Sequence, residues 1–270
     1  MKKSRRHALG QHFLANRAVL LRIVAAIAPR REDVILEIGA GKGVLTALLA
    51  ETAGKVIAVE KDGRLMPGLR EAMPANVDVV HGDALTIDIG ALVLAAGVPA
   101  LRIAGNIPYS ISTPLLFRVL EERDHLSDAA FLVQKEVAGR VMAGPGSKAY
   151  APLGILIRNE FEAKIAFTVA PGAFSPPPEV KSALLILRRR PKPVLPGAAD
   201  EAFRTFLREA FAGRRKTLWN NLARDVGPER LAGVYEALGL ARNARAEQLL
   251  AETLFALFRA LNSRQQAAMI

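Results

Sequence analysis

The sequence predicts an α/β chain, a doubly wound parallel sheet followed by a small all-α C-terminal domain. Three observations predict it. Short apolar runs rich in Val and Ile alternate with stretches of helical periodicity from Val34 to Ala143, as in a sheet covered on both faces. The first run ends in Gly39-Ala40-Gly41-Lys42-Gly43, a turn that opens a helix. The alternation then stops, and beyond a segment with three prolines and one glycine, Pro191–Ala199, only helical patterns follow.

Residues 1–16 form a basic arm ending in Leu9-Gly10-Gln11-His12-Phe13-Leu14. Leu20, Ile23, Val24 and Ile27 recur at helical spacing and predict a helix over Arg17–Ala28. Val34–Ile38 reads as a buried parallel strand, and Val44–Thr52 as the helix after the glycine turn. Lys55–Val59 is a second strand, closed by Glu60, with a helix over Arg64–Ala72. A third strand, Val77–Val80, leads to Gly82-Asp83. The fourth, Leu101–Ala104, delivers Asn106-Ile107-Pro108-Tyr109 and is followed by a helix over Ser112–Glu121. A fifth strand is predicted over Ala129–Val133 and a helix over Lys135–Ala143. After Gly144-Pro145-Gly146 come a helical stretch near Tyr150–Asn159 and two β runs, Ala163–Val169 and Ala183–Arg188, a hairpin-like pair at one sheet edge. Asp200–Ala212, Lys216–Ala223, Glu229–Leu238 and Glu247–Leu261 are predicted helices. The expected domains are therefore residues 1–190 and 191–270.

Composition narrows the function. A chain of 270 residues with 51% hydrophobic and 23% charged content is an ordinary globular protein. No apolar run is long enough to span a bilayer and no signal-peptide core follows the basic start, so a cytoplasmic address is expected. There is no cysteine, which excludes disulfides, thiolate catalysis and thiolate metal sites. His7, His12, His81 and His125 lack metal-ligand spacing, so no metal is expected. Net charge is +11 (37 Lys+Arg less 26 Asp+Glu) and is unevenly placed. Residues 1–31 carry +8, residues 188–224 carry +7, and the remainder sums to −4. Two basic segments around a mildly acidic body suit a polyanion clamp, with nucleic acid as the partner.

The strand ends carry the chemistry. The spacing of Gly39, Gly41 and Gly43 departs from the dinucleotide pattern G-x-G-x-x-G, since Val44 stands where that pattern continues. A smaller adenosyl ligand fits better. Glu60 is placed to accept from ribose hydroxyls, and Asp83 from an adenine amino group; the plainer alternative is that both cap turns. With Glu37, these carboxylates suit a ligand bearing a sulfonium and an amino-acid head, S-adenosylmethionine. Asn106-Ile107-Pro108-Tyr109 offers an amide, a carbonyl-rich turn and an aromatic face. Proline removes one donor and pushes Ile107 towards an extended conformation, which suits an exocyclic amine on a stacked flat ring.

These stretches, with Gln134-Lys135-Glu136-Val137, Phe174-Ser175-Pro176-Pro177-Pro178 and Arg214-Arg215-Lys216-Thr217-Leu218, stand in an order spanning nearly the whole chain. The chain resembles the ribosomal RNA adenine N6-dimethyltransferases, and its bacterial housekeeping branch most. The resemblance implies a seven-stranded Rossmann-like methyltransferase sheet whose last pair includes an antiparallel strand. It implies N6,N6-dimethylation of two adjacent adenines near the 3′ end of small-subunit (16S) rRNA, and a role in small-subunit assembly. Implied donor contacts are His12, Leu14, Glu37, Gly39, Gly41, Glu60, Asp83, Ala84 and Asn106. Asn106, Ile107, Pro108 and Tyr109 would form the catalytic loop, with Phe174 stacking on the target base. Arg5, Arg6, Arg214, Arg215 and Lys216 would contact RNA. The family usually has asparagine where His12 stands and commonly leucine where Ile107 stands. A monomer is expected. The competing expectations are the related large-subunit rRNA adenine methyltransferases of antibiotic resistance and an assembly factor without turnover.

Overall fold

The computed structural model describes residues 12–198, 200–213 and 215–267. Arg5, Arg6, Arg214 and residues 9–11 of the arm lie outside them. In chain order the elements are β1 (Phe13–Leu14), α1 (Arg17–Ile27), β2 (Val34–Ile38), α2 (Val44–Ala50), β3 (Lys55–Glu60), α3 (Met66–Ala72) and β4 (Val77–His81). There follow α4 (Ile89–Ala96), β5 (Leu101–Asn106), α5 (Ser112–Glu121), β6 (Leu126–Gln134), α6 (Lys135–Met142) and α7 (Pro152–Glu160). β7 (Phe161–Val169), β8 (Phe174–Ser175), β9 (Ser182–Arg189), α8 (Glu201–Ala210), α9 (Leu218–Val226), α10 (Pro228–Ala237) and α11 (Ala251–Ala267) complete the chain.

Among the described residues, those up to 138 form one compact unit with 162–189, and 139–161 join 190–267 in a second. The first holds a seven-stranded sheet in the order β4-β3-β2-β5-β6-β9-β7. The pairs β2–β3, β2–β5, β3–β4 and β5–β6 are parallel, and β9 runs antiparallel to β6. The doubly wound sheet with its antiparallel strand is thus present, and the second unit is helical after β9. β2 and β5 are adjacent although far apart in sequence, so the winding reverses between them. Ligands of open α/β sheets bind in the crevice outside strand ends at such a switch point. Gly105 lets these two strands close: a Cβ there would lie 2.4 Å from the Ile38 carbonyl oxygen.

The central strands are apolar because both faces are covered; Ile35, Leu36, Leu101 and Phe131 are fully buried. α1 starts at Asn16, whose side chain accepts from the Val19 N–H at 3.1 Å. Its last carbonyls, of Ile27 and Ala28, accept from the Arg102 guanidinium, which also binds Asp33 and Asp128. One cation thereby joins a helix end to two strands.

Some elements differ from expectation. α4 escaped the sequence reading because Ile89–Ala96 is apolar nearly throughout and shows no helical stripe. Its caps define it instead: Asp88 accepts from the Ala91 N–H at 2.9 Å, and Gly97 ends the helix at φ 66°. β5 continues through Gly105 to Asn106, and β6 begins earlier, at Leu126. The segment 139–161 groups with the C-terminal unit, whereas the sequence boundary at 190 placed it with the sheet. The reason lies in the Pro-rich linker, which is pinned to α7: the Asn159 carbonyl accepts from the Val194 N–H and its side-chain oxygen from the Leu195 N–H at 2.7 Å.

In the C-terminal unit the amphipathic face of α8 buries Phe203, Phe206 and Leu207. Phe203 meets Phe255 edge-on at 5.0 Å between centroids. Thr217 caps α9 by accepting from the Asn220 N–H at 3.2 Å. Arg215 and Lys216, in the preceding turn, are exposed.

Candidate active site

A cavity of about 210 Å³ opens at the C-terminal ends of the parallel strands. Ile38 and the glycine loop after β2 border it, as do Val59 and Glu60 at the end of β3 and Gly82, Asp83 and Ala84 beyond β4. Asn106, Ile107, Pro108 and Tyr109 also line it, as do His12 and Phe13 from the N-terminal segment of the first unit. Stretches read separately from the sequence thus converge on one cavity.

Gly39 and Gly41 adopt φ of 73° and 59°, where side chains are strained. A Cβ on Gly41 would also press to 3.1 Å from the Phe13 ring. The loop is latched by Glu60, which is 4% exposed: its Oε2 accepts from the Gly41 N–H at 2.8 Å and its Oε1 from the Asp62 N–H at 2.7 Å. Each carboxylate oxygen keeps a second lone pair for another donor. Asp83 accepts from Lys61 Nζ at 2.6 Å and from the Leu85 N–H at 3.0 Å. These bonds, that of Lys61 first, hold its pKa below the ordinary value.

The loop after β5 shows directional chemistry. Asn106 Nδ2 donates to the His12 carbonyl oxygen at 2.8 Å. A carbonyl only accepts, so this bond sets which end of the amide is which and leaves Oδ1 as the unengaged acceptor. The Ile107 N–H donates to the Leu132 carbonyl, and the Pro108 carbonyl accepts from the Ile111 N–H. The Ile107 carbonyl accepts none of the described hydrogen bonds. Tyr109 bonds through its hydroxyl to Ser182 Oγ at 2.7 Å, and burial raises its pKa despite that bond. The His12 ring lies 5.6 Å from the Tyr109 ring at an interplanar angle of 34°. His12 Nδ1 is 2.8 Å from the Pro176 carbonyl oxygen, so Nδ1 carries the proton.

Three predicted residues are placed elsewhere. Glu37 is 1% exposed beneath the glycine loop rather than on the cavity wall, and its Oε2 has no hydrogen-bond partner among the described residues. Burial raises its carboxyl pKa to about 8, opposed by the Thr46 hydroxyl and assisted by the charge of Glu60. Leu14 is buried opposite Phe174 in the β1–β8 ladder. Phe174 is 4% exposed within the core around Leu14, Val169 and Ala173. Stacking on a base would first require removing it from that core. Phe13, Lys61, Asp62 and Ser182 join the site without having been singled out. Phe13 sits inside the arm motif and Asp62 two residues after Glu60, whereas only the fold brings Ser182 to Tyr109.

Comparison with known proteins supplies the family. The family described as ribosomal RNA adenine dimethylase matches residues 2–263. The chain belongs to that family. The ribosomal RNA small subunit methyltransferase A of Rubrobacter xylanophilus is 45% identical, over 94% of each chain. That of Geobacter sulfurreducens is 42% identical, over 90% of each. Among solved structures, a dimethyladenosine transferase from Plasmodium falciparum covers 94% of the chain, and 98% of its own length, at a TM-score of 0.82 and 26% identity. The 23S rRNA methyltransferase ErmE covers 93%, and 99% of its own length, at 0.70 and 29%. A match over residues 2–263 to a family of rRNA adenine dimethylases makes this chain an rRNA methyltransferase by descent. No described helix is long and apolar enough to cross a membrane.

Proposed function

We propose that this chain is the S-adenosylmethionine-dependent enzyme that N6,N6-dimethylates two adjacent adenines near the 3′ end of small-subunit (16S) rRNA. The observation that carries the reading is the oriented Asn106 amide, whose Oδ1 shares a cavity with the Ile107 carbonyl and the Tyr109 ring.

Adenine N6 is a poor nucleophile because its lone pair is delocalised into the ring. Oδ1 of Asn106 and the Ile107 carbonyl each accept one N6 hydrogen, drawing the nitrogen towards a tetrahedral arrangement and freeing the lone pair. Both are fixed partial negative charges, so they also stabilise positive charge growing on N6. No strong base is needed, because the proton becomes acidic only after the methyl has arrived. Tyr109 stacks on the base, which must leave its RNA stack to reach it, at about 1–3 kcal/mol for such a contact.

The cavity fits the donor: apolar walls from Ile38, Val59 and Ile107, carboxylates at two strand ends, and a glycine loop that admits close approach. When bound, the donor supplies a methyl group made electrophilic by its sulfonium. Glu60, with its remaining lone pairs, would accept from the ribose hydroxyls, Asp83 and Ala84 would hold the adenine end, and the Gly39–Gly41 loop would take the methionine portion. His12 borders the same cavity. Arg215 and Lys216 contact phosphates and position the RNA without reading its sequence, and Arg5, Arg6 and Arg214 are assigned the same role from sequence. The enzyme acts as a cytoplasmic monomer on the small ribosomal subunit and uses no metal.

Incubating unmethylated small subunits, and in a parallel reaction unmethylated large subunits, with labelled donor and digesting the rRNA tests the reading. Recovery of N6,N6-dimethyladenosine from adjacent 3′ adenines is expected, with the same yield from enzyme that was treated with chelator and then freed of it. Label in a large-subunit adenine would instead favour the reading drawn from the likeness to ErmE. No label in either subunit would leave an assembly factor without turnover.

A further inference from the structure

The basic surface of the C-terminal unit reaches beyond the segment in which the sequence concentrates charge. Residues 225–247 carry three arginines against four acids, a net of −1, so Arg242 stands in no basic run. The fold nevertheless brings it to one. At the start of α9 the Leu218 N–H donates to the Ala244 carbonyl at 2.8 Å. That bond ties the loop after α10 beside the turn that carries Arg215 and Lys216, and all three cations are exposed. The Arg242 guanidinium lies over the Trp219 ring, its carbon 4.4 Å from the ring centroid. Trp219 is half-buried and is anchored in turn by an edge contact with buried Tyr235 of α10, 5.2 Å between centroids at 85°.

Neither part of this cluster is explained by local stability. Arg215 and Lys216 stand immediately before Thr217, which caps α9, and the first turn of that helix holds no acid. A helix N-terminus favours anions, so cations gain nothing from the helix there. Arg242 makes no ion pair and no side-chain hydrogen bond among the described residues. Its ring contact uses the charge and leaves the five N–H donors for oxygen acceptors. We infer that Arg242, held on the Trp219 ring, is a further phosphate contact of the rRNA-binding surface, which rests on the RNA-binding reading of the Arg215–Lys216 turn. An arginine already laid on an indole has given up part of its rotamer freedom during folding and loses less on binding. Its planar fork matches phosphate oxygens. Such a contact fixes the placement of the RNA without reading bases.

The test measures affinity for unmethylated small subunits across a salt series, in wild type, Arg242→Gln, Arg242→Lys, Trp219→Leu and Trp219→Phe. Donor Kd without RNA and melting curves verify that each variant is folded. Arg242→Gln should lower the slope of log K on log salt by about 1 and weaken binding about 5- to 10-fold at ~0.1 M salt. Arg242→Lys should keep the slope and lose part of the affinity, because an ammonium lacks the planar fork. Trp219→Leu removes no charge, yet it should weaken binding about two- to fivefold through the lost cation–π contact. Trp219→Phe should fall between, and it stands in if the Leu variant does not fold. Wild-type affinity and slope in Arg242→Gln overturn the inference. So does wild-type binding by Trp219→Leu beside a weakened Arg242→Gln, because Arg242 would then act without its support. If wild-type binding to the subunit shows no salt dependence, the RNA-binding reading of the basic turn fails first, and the inference with it. If wild type binds and methylates subunits and Arg242→Gln binds them equally well, the inference alone fails.

Discussion

Replacing Asn106 with alanine separates the structural and the chemical uses of one side chain. Structurally the amide makes one hydrogen bond, from Nδ2 to the His12 carbonyl at 2.8 Å, at a half-buried position. Losing a bond of that kind costs about 1 kcal/mol, which moves the melting temperature of a chain this size by about 2–4 °C. Chemically the substitution removes Oδ1, an acceptor aimed at charge that appears during transfer. Deleting one such preorganised group elsewhere costs about 10²–10³ in rate, or about 2.7–4 kcal/mol. Asn106→Ala should therefore melt within a few degrees of wild type, still bind donor measurably, and transfer methyl groups at least about 100-fold more slowly. Calorimetry supplies the donor affinity, and single-turnover label transfer to unmethylated small subunits at saturating donor supplies the rate. Asn106→Asp sharpens the contrast, because it keeps an acceptor but sets a carboxylate against the His12 carbonyl and loses the bond that aims the group. Should Asn106→Ala retain a rate within about threefold of wild type, the two-acceptor account is wrong.

Further outcomes follow from other parts of the molecule. Phe174→Ala should cost about 3–5 kcal/mol in urea unfolding, as for a fully packed aromatic; full stability with lost transfer would instead return Phe174 to base stacking. The Glu37 carboxyl, raised to about 8 from an ordinary 4.5, is protonated more readily in the folded than in the unfolded chain. Its stability contribution is complete below pH ~4.5 and disappears as pH rises through about 8, so the wild-type urea midpoint should fall between pH 5.5 and 8.5 more than that of Glu37→Gln; parallel curves would contradict the shift. Raising salt should weaken subunit binding steeply and leave donor binding nearly constant, and removing Arg215 and Lys216 together should lower the slope of log K on log salt by about 2. Equal salt responses for both ligands would count against the basic clamp.

The β-branched runs and the glycine turn after β2 were legible in the sequence because burial on both sheet faces leaves a continuous apolar signature. The strand-end residues were legible for a related reason, since the doubly wound topology assigns ligands to those ends. What stayed hidden depends on contacts across long separations. Nothing local to Asn106 says which end of its amide faces the cavity; the answer comes from a carbonyl 94 residues earlier. Nothing local to Phe174 shows that it packs with Leu14, Val169 and Ala173, which only the fold brings around it. Segment 139–161 looked like part of the sheet's covering because its affiliation is set by Asn159 holding the linker backbone. The α4 helix was missed since caps, not periodicity, define it.

The bonds from the Gly41 and Asp62 amides to the Glu60 carboxyl have a thermodynamic consequence. The same oxygens that would receive a nucleoside already brace the hairpin around it, so the guest meets a receptor whose ordering entropy was lost during folding. Shortening this side chain would then slacken the cradle before any guest arrives. Affinity and local rigidity would decline together, and amide hydrogen exchange at Gly41 in the free protein would register the second of them.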